Sequence, residues 1–353
     1  MLRPMRLLFL PILAIAANAP VHADILIGSW GDGATPQIMR AFADTANGNV
    51  APLRQLGGTS TGFLTPIGGA YEPVEGVVYV ADFYGQSIRV FPSAASGDIA
   101  PKRVLTSAYV GQVRSIAIDV AHDEMFYTST CCVWTFDRTA SGNGFFKRYV
   151  QWGGLSGSVT QQNSPNGLIY LSATDQLAET DTDSAAPYTP KVLVFDRIAS
   201  GNTAPARVIK GASTQLGSYA GALAYDAPSR KLFVGAYTDN GASSHSARVL
   251  VFDDTANGNV APLRVIGGAN TGLELSGSGS VGGIAIDPQR QRLIVSIYDY
   301  NIAANSKLLV FDIAANGNVA PLQIIAGSQT GFVSALGAPI WVSTDRIFGD
   351  GFQ

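Results

Sequence analysis

Four carboxylates fall in one stretch of the chain, residues 173–190, and their spacing suggests metal chemistry. They are Asp175, Glu179, Asp181 and Asp183, and no basic residue intervenes before Lys191. Clustered carboxylates suit Ca²⁺, a hard cation that prefers several oxygen ligands. The same composition is typical of an acidic loop that is merely solvated. The sequence leaves both alternatives open, a Ca²⁺ site or a solvated loop.

Polar side chains recur in other parts of the chain, shortly after short apolar runs. Together with Asp175 they form one candidate set for contacting a ligand or partner: Asp82, Tyr84, Asp239, Asn240, His245, Asp299 and Asn301. Carboxylate and amide groups can hydrogen-bond a ligand, or they can hold the metal ion of a hydrolase or lyase. A binding surface is the first hypothesis, and a metal-dependent enzyme is the alternative.

Catalytic groups are scarce. The chain has 3 histidines, and loss of a leader containing His22 would leave only His122 and His245. Two histidines exclude a three-histidine zinc site, and a serine–histidine–aspartate triad would depend on one of them. No glycine-rich phosphate loop or dinucleotide motif stands out. The sequence therefore predicts no catalytic residue, disfavours an enzyme and implies no cofactor beyond the Ca²⁺ considered above.

The chain's 2 cysteines, Cys131 and Cys132, are adjacent. Neighbouring Cα atoms lie about 3.8 Å apart across a trans peptide, below the usual disulfide range, so a vicinal bridge would be strained. An exported protein would nevertheless tend to oxidise them. The alternatives are a vicinal disulfide and two free or intermolecular thiols.

The first residues resemble a secretory signal peptide. Arg3 and Arg6 precede an apolar run over residues 7–17, and Ala23 ends a small-x-small cleavage site. Cleavage after residue 23 predicts an exported protein, periplasmic or extracellular, that begins at Asp24. No later run is long enough to span a membrane. The net charge of −3, without a basic stripe, gives no indication of nucleic-acid binding.

A repeat of about 50 residues organises the rest of the chain. It is anchored by six phenylalanines, each followed six positions later by a glycine: Phe42, Phe91, Phe136, Phe195, Phe252 and Phe311. An arginine, or Gln323 in the last copy, lies twelve positions after each phenylalanine. We expect this arginine to pair across the hairpin with the aspartate that follows the phenylalanine, as Arg264 with Asp253.

Each repeat contains four short alternating runs, labelled strands a to d, which predict the four-stranded antiparallel blade of a β-propeller. The first repeat lacks strand a, and residues 339–345 supply an unpartnered one. The sequence therefore predicts an all-β, six-bladed propeller over residues 24–345, closed by its C-terminal strand and followed by a tail at residues 346–353. We expect a monomer. Small residues in the a strands indicate a crowded central axis.

The segments Gly283-Ile284-Ala285-Ile286-Asp287 and Val310-Phe311-Asp312, with the hairpin that follows, resemble NHL-repeat and related six-bladed propellers. The resemblance covers roughly residues 24–345. It implies a fold that hosts binding modules, scaffolds, and some lactonases and lyases. The metal site of lactonase-type propellers uses a glutamate, an asparagine and an aspartate on inner strands, and this sequence offers no matching glutamate.

Strand direction alternates within a blade, so the d–a and b–c loops share one face of the propeller. The b–c loops vary most between repeats, and variable loops on a rigid scaffold commonly carry function. We therefore expect a ligand or partner, whether protein, glycan or small molecule, to bind at the b–c face.

Overall fold

The computed structural model describes residues 23–30, 37–241, 244–276, 279–299, 302, 305–332 and 335–343. These form six antiparallel sheets arranged as the blades of a propeller. The predicted all-β, six-bladed fold is confirmed. All of the predicted leader except Ala23, and the whole of the predicted tail at residues 346–353, lie outside the described residues.

The strands are numbered in chain order, and each blade is given from its inner to its outer strand. Blades 1 and 2 contain these strands: β25 (Ile340–Val342), β1 (Asp24–Ile27), β2 (Met39–Ala43) and β3 (Arg54–Leu56); β4 (Pro66–Glu72), β5 (Val77–Asp82), β6 (Ser87–Pro92) and β7 (Arg103–Leu105). Blades 3 and 4 contain these: β8 (Ser115–Asp119), β9 (Glu124–Thr128), β10 (Val133–Asp137) and β11 (Arg148–Val150); β12 (Leu168–Leu171), β13 (Gln176–Thr182), β14 (Pro190–Asp196) and β15 (Arg207–Ile209).

Blades 5 and 6 contain the remaining strands: β16 (Tyr219–Asp226), β17 (Lys231–Asp239), β18 (Ser244–Asp253), β19 (Arg264–Gly267) and β20 (Glu274–Ser276), which pairs with β18; β21 (Gly279–Asp287), β22 (Arg292–Asp299), β23 (Lys307–Asp312) and β24 (Gln323–Ile325). Single 3₁₀ turns follow three of the outer strands: Ala212–Thr214, Ala269–Thr271 and Ser328–Thr330. The predicted pairing of the C-terminal strand with the first blade is present, with Val342 opposite Asp24 and Ile340 opposite Leu26.

The six anchor phenylalanines are buried in the cores between blades, with 0–1% of their surface exposed. The inner strands contact one another in a closed cycle around the axis. They approach so closely that a Cβ on Gly283 would lie 2.3 Å from the Cα of Ala338, and one on Gly167 would lie 2.6 Å from the carbonyl oxygen of Gly221. The crowded axis predicted from small residues is therefore present.

The repeated hairpin fastens each blade to its neighbour. Its glycine adopts positive φ and pairs in parallel with the outer strand of the preceding blade, as Gly258 does with Ile209 and Gly48 with Ile325. The arginine of the motif also acts between blades, since Arg264 donates to the carbonyl oxygens of Ile313 and Ala315. The expected Arg264–Asp253 pair across one hairpin is wrong, because Asp253 is occupied by Lys231.

Removal of one hairpin side chain tests whether the hairpin stabilises the contact with the preceding blade. Asn259 Oδ1 accepts the backbone N–H of Ser213 at 2.8 Å, so Asn259→Ala is expected to lower the free energy of unfolding by about 1 kcal/mol. Asn143 occupies the same hairpin position and has no side-chain hydrogen bond to any described residue. Asn143→Ala is the matched control, and equal losses in urea denaturation would refute the role of Asn259.

Candidate functional site

The acidic stretch at residues 173–190 is not a single loop. Strand β13 spans Gln176–Thr182, so Glu179 and Asp181 lie within a blade. Asp183 follows β13 on the b–c face, whereas Asp175 lies in the a–b turn on the opposite face. The assignment of all four carboxylates to one b–c loop is therefore wrong. Their separation removes the shared loop on which the Ca²⁺ prediction rested.

Glu179 and Asp181 are buried and have partners from other elements. Both Glu179 oxygens accept from Gln162 Nε2 at 2.9 Å. Burial raises the pKa of Glu179 well above its usual range, and the negative charge of Asp181 raises it further. Burial also raises the pKa of Asp181, to about 6, although Lys191 acts in the opposite direction. Lys191 reaches Asp183 at 2.8 Å, so these groups form an internal ion-pair network.

Asp175 belongs to a different cluster. It lies with Asp119 and His122 on the a–b face, and ligand atoms of the three residues lie within 4.8 Å of one another. Arg197 Nε is 2.7 Å from Asp175 and 3.7 Å from Asp119, and His122 Nδ1 is 2.6 Å from Asp119. A guanidinium already supplies the positive charge that a metal ion would bring to these carboxylates. The cluster is therefore better suited to holding two blades together than to metal binding.

Two of the predicted face residues hold loops in place. Asp82 is fully buried, accepts the backbone N–H groups of Leu64 and Thr65 and pairs with Arg89. Asp299 is also buried and accepts from the side chain of Asn305. Neither carboxylate is available to a ligand without loss of these bonds.

The other predicted face residues lie at or near the surface of the b–c side. Tyr84 is 41% exposed, and Asp239 and Asn240 are exposed. His245 stacks on Tyr237 with ring centroids 4.4 Å apart. Asn301 lies outside the described residues. Tyr84 belongs to blade 2 and the other three described residues to blade 5, and none of them lines the two cavities on the axis.

Cys131 and Cys132 are joined by a vicinal disulfide in the b–c loop of blade 3. Ser129 in the same loop accepts a hydrogen bond from Trp134 Nε1 at 3.1 Å. Of the two alternatives left by the sequence, the structure contains the disulfide. It lies at the b–c face.

A cavity of about 190 Å³ lies on the axis at the b–c face, and we call it the axial mouth. Its polar groups come from the segments that enter inner strands: Arg114 before β8, Asn166 before β12 and Tyr219 at the start of β16. Its remaining walls include Trp30 and Phe83, whose rings meet edge to face at 4.8 Å. The mouth thus combines one cation with aromatic surface.

Arg114 lacks a protein counter-ion among the described residues. Its Nε is buried without a hydrogen-bond partner, and none of the described carboxylates lies within 4 Å of its guanidinium. Asn166 instead donates to the Tyr219 hydroxyl. An unpaired guanidinium in a partly desolvated cavity favours an anionic ligand, since burial of such a group without a partner costs free energy.

Sequence reasoning missed Arg114 because it considered the b–c loops and acidic residues. Alignment of the repeats would have shown the signal. The position one residue before each inner-strand core holds Gly221, Gly282 and Gly337 in three blades, but Arg114 and Asn166 in two adjacent ones. Polar residues at an axial position that is glycine in three other blades and Ile67 in blade 2 indicate a site.

Other basic residues also lack a carboxylate partner. Arg40, Arg248 and Lys307 have no carboxylate within 4 Å among the described residues. Burial lowers the pKa of each of these groups. The same is true of Arg264, which lies towards the a–b face and donates to carbonyl oxygens. What distinguishes Arg114 is therefore its place at the axial mouth.

Comparisons with known proteins identify the fold. No protein-family model and no curated protein sequence matches the chain. A solved chain from a crystal structure of a nidogen/laminin complex is similar at 15% identity and a TM-score of 0.55, over 92% of this chain and 99% of that one. A structure of a protein from Lactobacillus plantarum is similar at 16% identity and a TM-score of 0.51, over 86% and 82% of the two chains. At these identities, both similarities show a shared propeller fold and nothing about function. In the described part of the chain, no helix has the length and apolarity to cross a membrane.

Proposed function

We propose that this protein is an exported binding propeller whose b–c face takes a carboxylate-bearing small molecule, or the acidic end of a glycan, at the axial mouth. The observation that carries the proposal is the Arg114 guanidinium, which lies at the mouth without a counter-ion among the described residues. A planar guanidinium can hold a carboxylate through two parallel hydrogen bonds. The aromatic walls then contact the apolar part of the ligand.

The size of the mouth restricts the ligand. A volume of about 190 Å³ is below the usual range for drug-sized molecules. It therefore admits the charged end of a ligand, while the rest extends over the b–c loops. That part would contact the b–c loops, through exposed Tyr84 in blade 2 or exposed Asp239 and Asn240 in blade 5.

A panel of matched ligands tests the proposal. Glucuronate and galacturonate are compared with glucose and galactose, and benzoate with benzyl alcohol, by thermal shift and calorimetric titration. We expect the carboxylates to raise Tm and bind, and the neutral partners to do neither, because Arg114 discriminates by charge. Equal behaviour of acid and neutral analogues would contradict an anion site.

Export and relationship to NHL-repeat propellers are part of the same proposal. They rest on the leader-like residues 1–23 and on the repeated segments of the inner and third strands. N-terminal sequencing of the secreted protein tests export, which requires a first residue of Asp24. The enzyme alternative would rely on carboxylates converging on a metal ion, and Arg197 already occupies the one such cluster found among the described residues. Elemental analysis of the purified protein for Ca²⁺ and Zn²⁺ tests that alternative.

A further inference from the structure

A second cavity, of about 450 Å³, lies on the axis at the opposite, a–b face. We call it the axial funnel. All six inner strands line it, and one equivalent position in each contributes a large apolar or aromatic side chain: Tyr71, Ile118, Tyr170, Tyr225, Ile286 and Trp341. The sequence predicts no ligand site on this face, because the turns here vary less between repeats than the b–c loops do.

The funnel differs in chemistry from the axial mouth. The layer of small residues between the two cavities, which includes Gly283 and Ala338, encloses a smaller cavity of about 60 Å³ whose lining shares residues with both. Next to the funnel wall lie the buried carboxylates of Asp119, Asp226 and Asp287, at the ends of three inner strands. Their negative charge disfavours an anionic ligand on this side.

The tyrosine hydroxyls of the funnel already have acceptors. Tyr170 donates to Asp175 at 2.9 Å and Tyr225 to Asp254 at 2.7 Å, while Tyr71 donates to the carbonyl oxygen of Ser343 at 3.2 Å. The indole N–H of Trp341 is the exception, because Nε1 is buried and has no partner among the described residues. Because Nε1 is buried, it is closed to a ligand in the funnel, which meets the aromatic ring of Trp341 and not its N–H group.

We propose that the axial funnel binds a neutral, mainly apolar ring compound. The ring packs against the aromatic wall of the funnel. The volume of about 450 Å³ lies in the usual range for small-molecule sites. This site does not depend on the carboxylate function proposed for the axial mouth.

The neutral dye prodan, a naphthalene with a ketone oxygen, is the probe. Its emission shifts to shorter wavelength in apolar surroundings. We expect saturable binding to the wild-type protein and a loss of affinity of at least tenfold in Ile286→Trp. Ile286→Trp fills the funnel, and blade 1 already accommodates tryptophan at the equivalent position.

Two controls locate the probe. Ile324→Trp places the same side chain on the outer strand β24, where Ile324 is 41% exposed, and should bind prodan as the wild type does. Arg114→Gln should also leave prodan binding unchanged. The inference is overturned if the wild type gives no spectral shift up to the solubility limit of the dye, if Ile286→Trp binds normally, or if Arg114→Gln abolishes binding.

Discussion

Replacement of Arg114 by glutamine is expected to lower the affinity of the axial mouth for its carboxylate ligand by roughly 10- to 100-fold. A hydrogen bond to a charged group contributes about 1.5–3 kcal/mol, and about 1.4 kcal/mol corresponds to a factor of ten in affinity. Isothermal titration with the strongest-binding carboxylate of the panel measures the change. Arg114→Lys should bind with intermediate affinity, because it retains the charge and loses the planar fork.

The stability of Arg114→Gln separates binding from folding. Since the guanidinium has no partner among the described residues and its burial costs free energy, its removal should not lower the unfolding midpoint. Arg103→Gln is the structural counterpart, because Arg103 pairs with Glu75 at 2.7 Å; it should lower the midpoint and leave carboxylate affinity intact. If Arg114→Gln binds the carboxylate as tightly as the wild type does, the axial mouth is not the site.

Replacement of Glu179 by glutamine is expected to stabilise the protein at pH 8 by on the order of 1–3 kcal/mol, because glutamine is buried without the cost of either protonating the carboxyl group or burying its charge. The amide retains an acceptor for Gln162 Nε2 and can donate to Gln162 Oε1, which is buried without a partner among the described residues. Urea denaturation of the wild type and variant measures the difference.

The pH dependence follows from the raised pKa of Glu179. The folded protein holds the proton at a pH where the unfolded chain has released it. The stability that this provides is complete below the unfolded pKa of about 4.3, and it is lost as pH rises through the folded value. The advantage of Glu179→Gln should therefore be largest at pH 8 and vanish near pH 4.

Glu124→Gln is the control for Glu179→Gln, and we expect it to have the opposite effect on stability. Burial would raise the pKa of Glu124, but hydrogen bonds from Arg148 and Arg197 hold it at about 2. A lowered pKa stabilises the fold above the unfolded value and loses that effect as pH falls through the folded one. Glu124→Gln should thus destabilise the protein at pH 8, with a deficit that shrinks on acidification. Stabilisation by both substitutions would contradict the assigned charge states.

The fold was predictable because its repeat reflects contacts that every blade makes. The Phe252 position packs between blades, and the Gly258 position pairs with the preceding blade. Each is required six times, so both appear in the sequence at fixed spacing. The two chain ends also predicted one strand pairing. The first repeat lacks its own inner strand, so the C-terminal strand Ile340–Val342 was expected beside β1, where it lies.

The candidate site was less predictable because its properties depend on distant partners. Glu179 and Asp181 occupy core-facing strand positions that hold Val234 and Ala236 in blade 5. Their polarity made the segment resemble a loop, and only Gln162 and Lys191, from other elements, make their burial tolerable. Arg114 is notable because its guanidinium has no carboxylate partner among the described residues. The sequence alone does not show which residues lie near it in the fold.

The most direct test of the account is a crystal structure of the protein with its strongest-binding carboxylate. The account predicts ligand density in the axial mouth on the b–c face, with both carboxylate oxygens within hydrogen-bond distance of the Arg114 guanidinium. Density confined to the axial funnel or to the Asp119–His122–Asp175 cluster would contradict it.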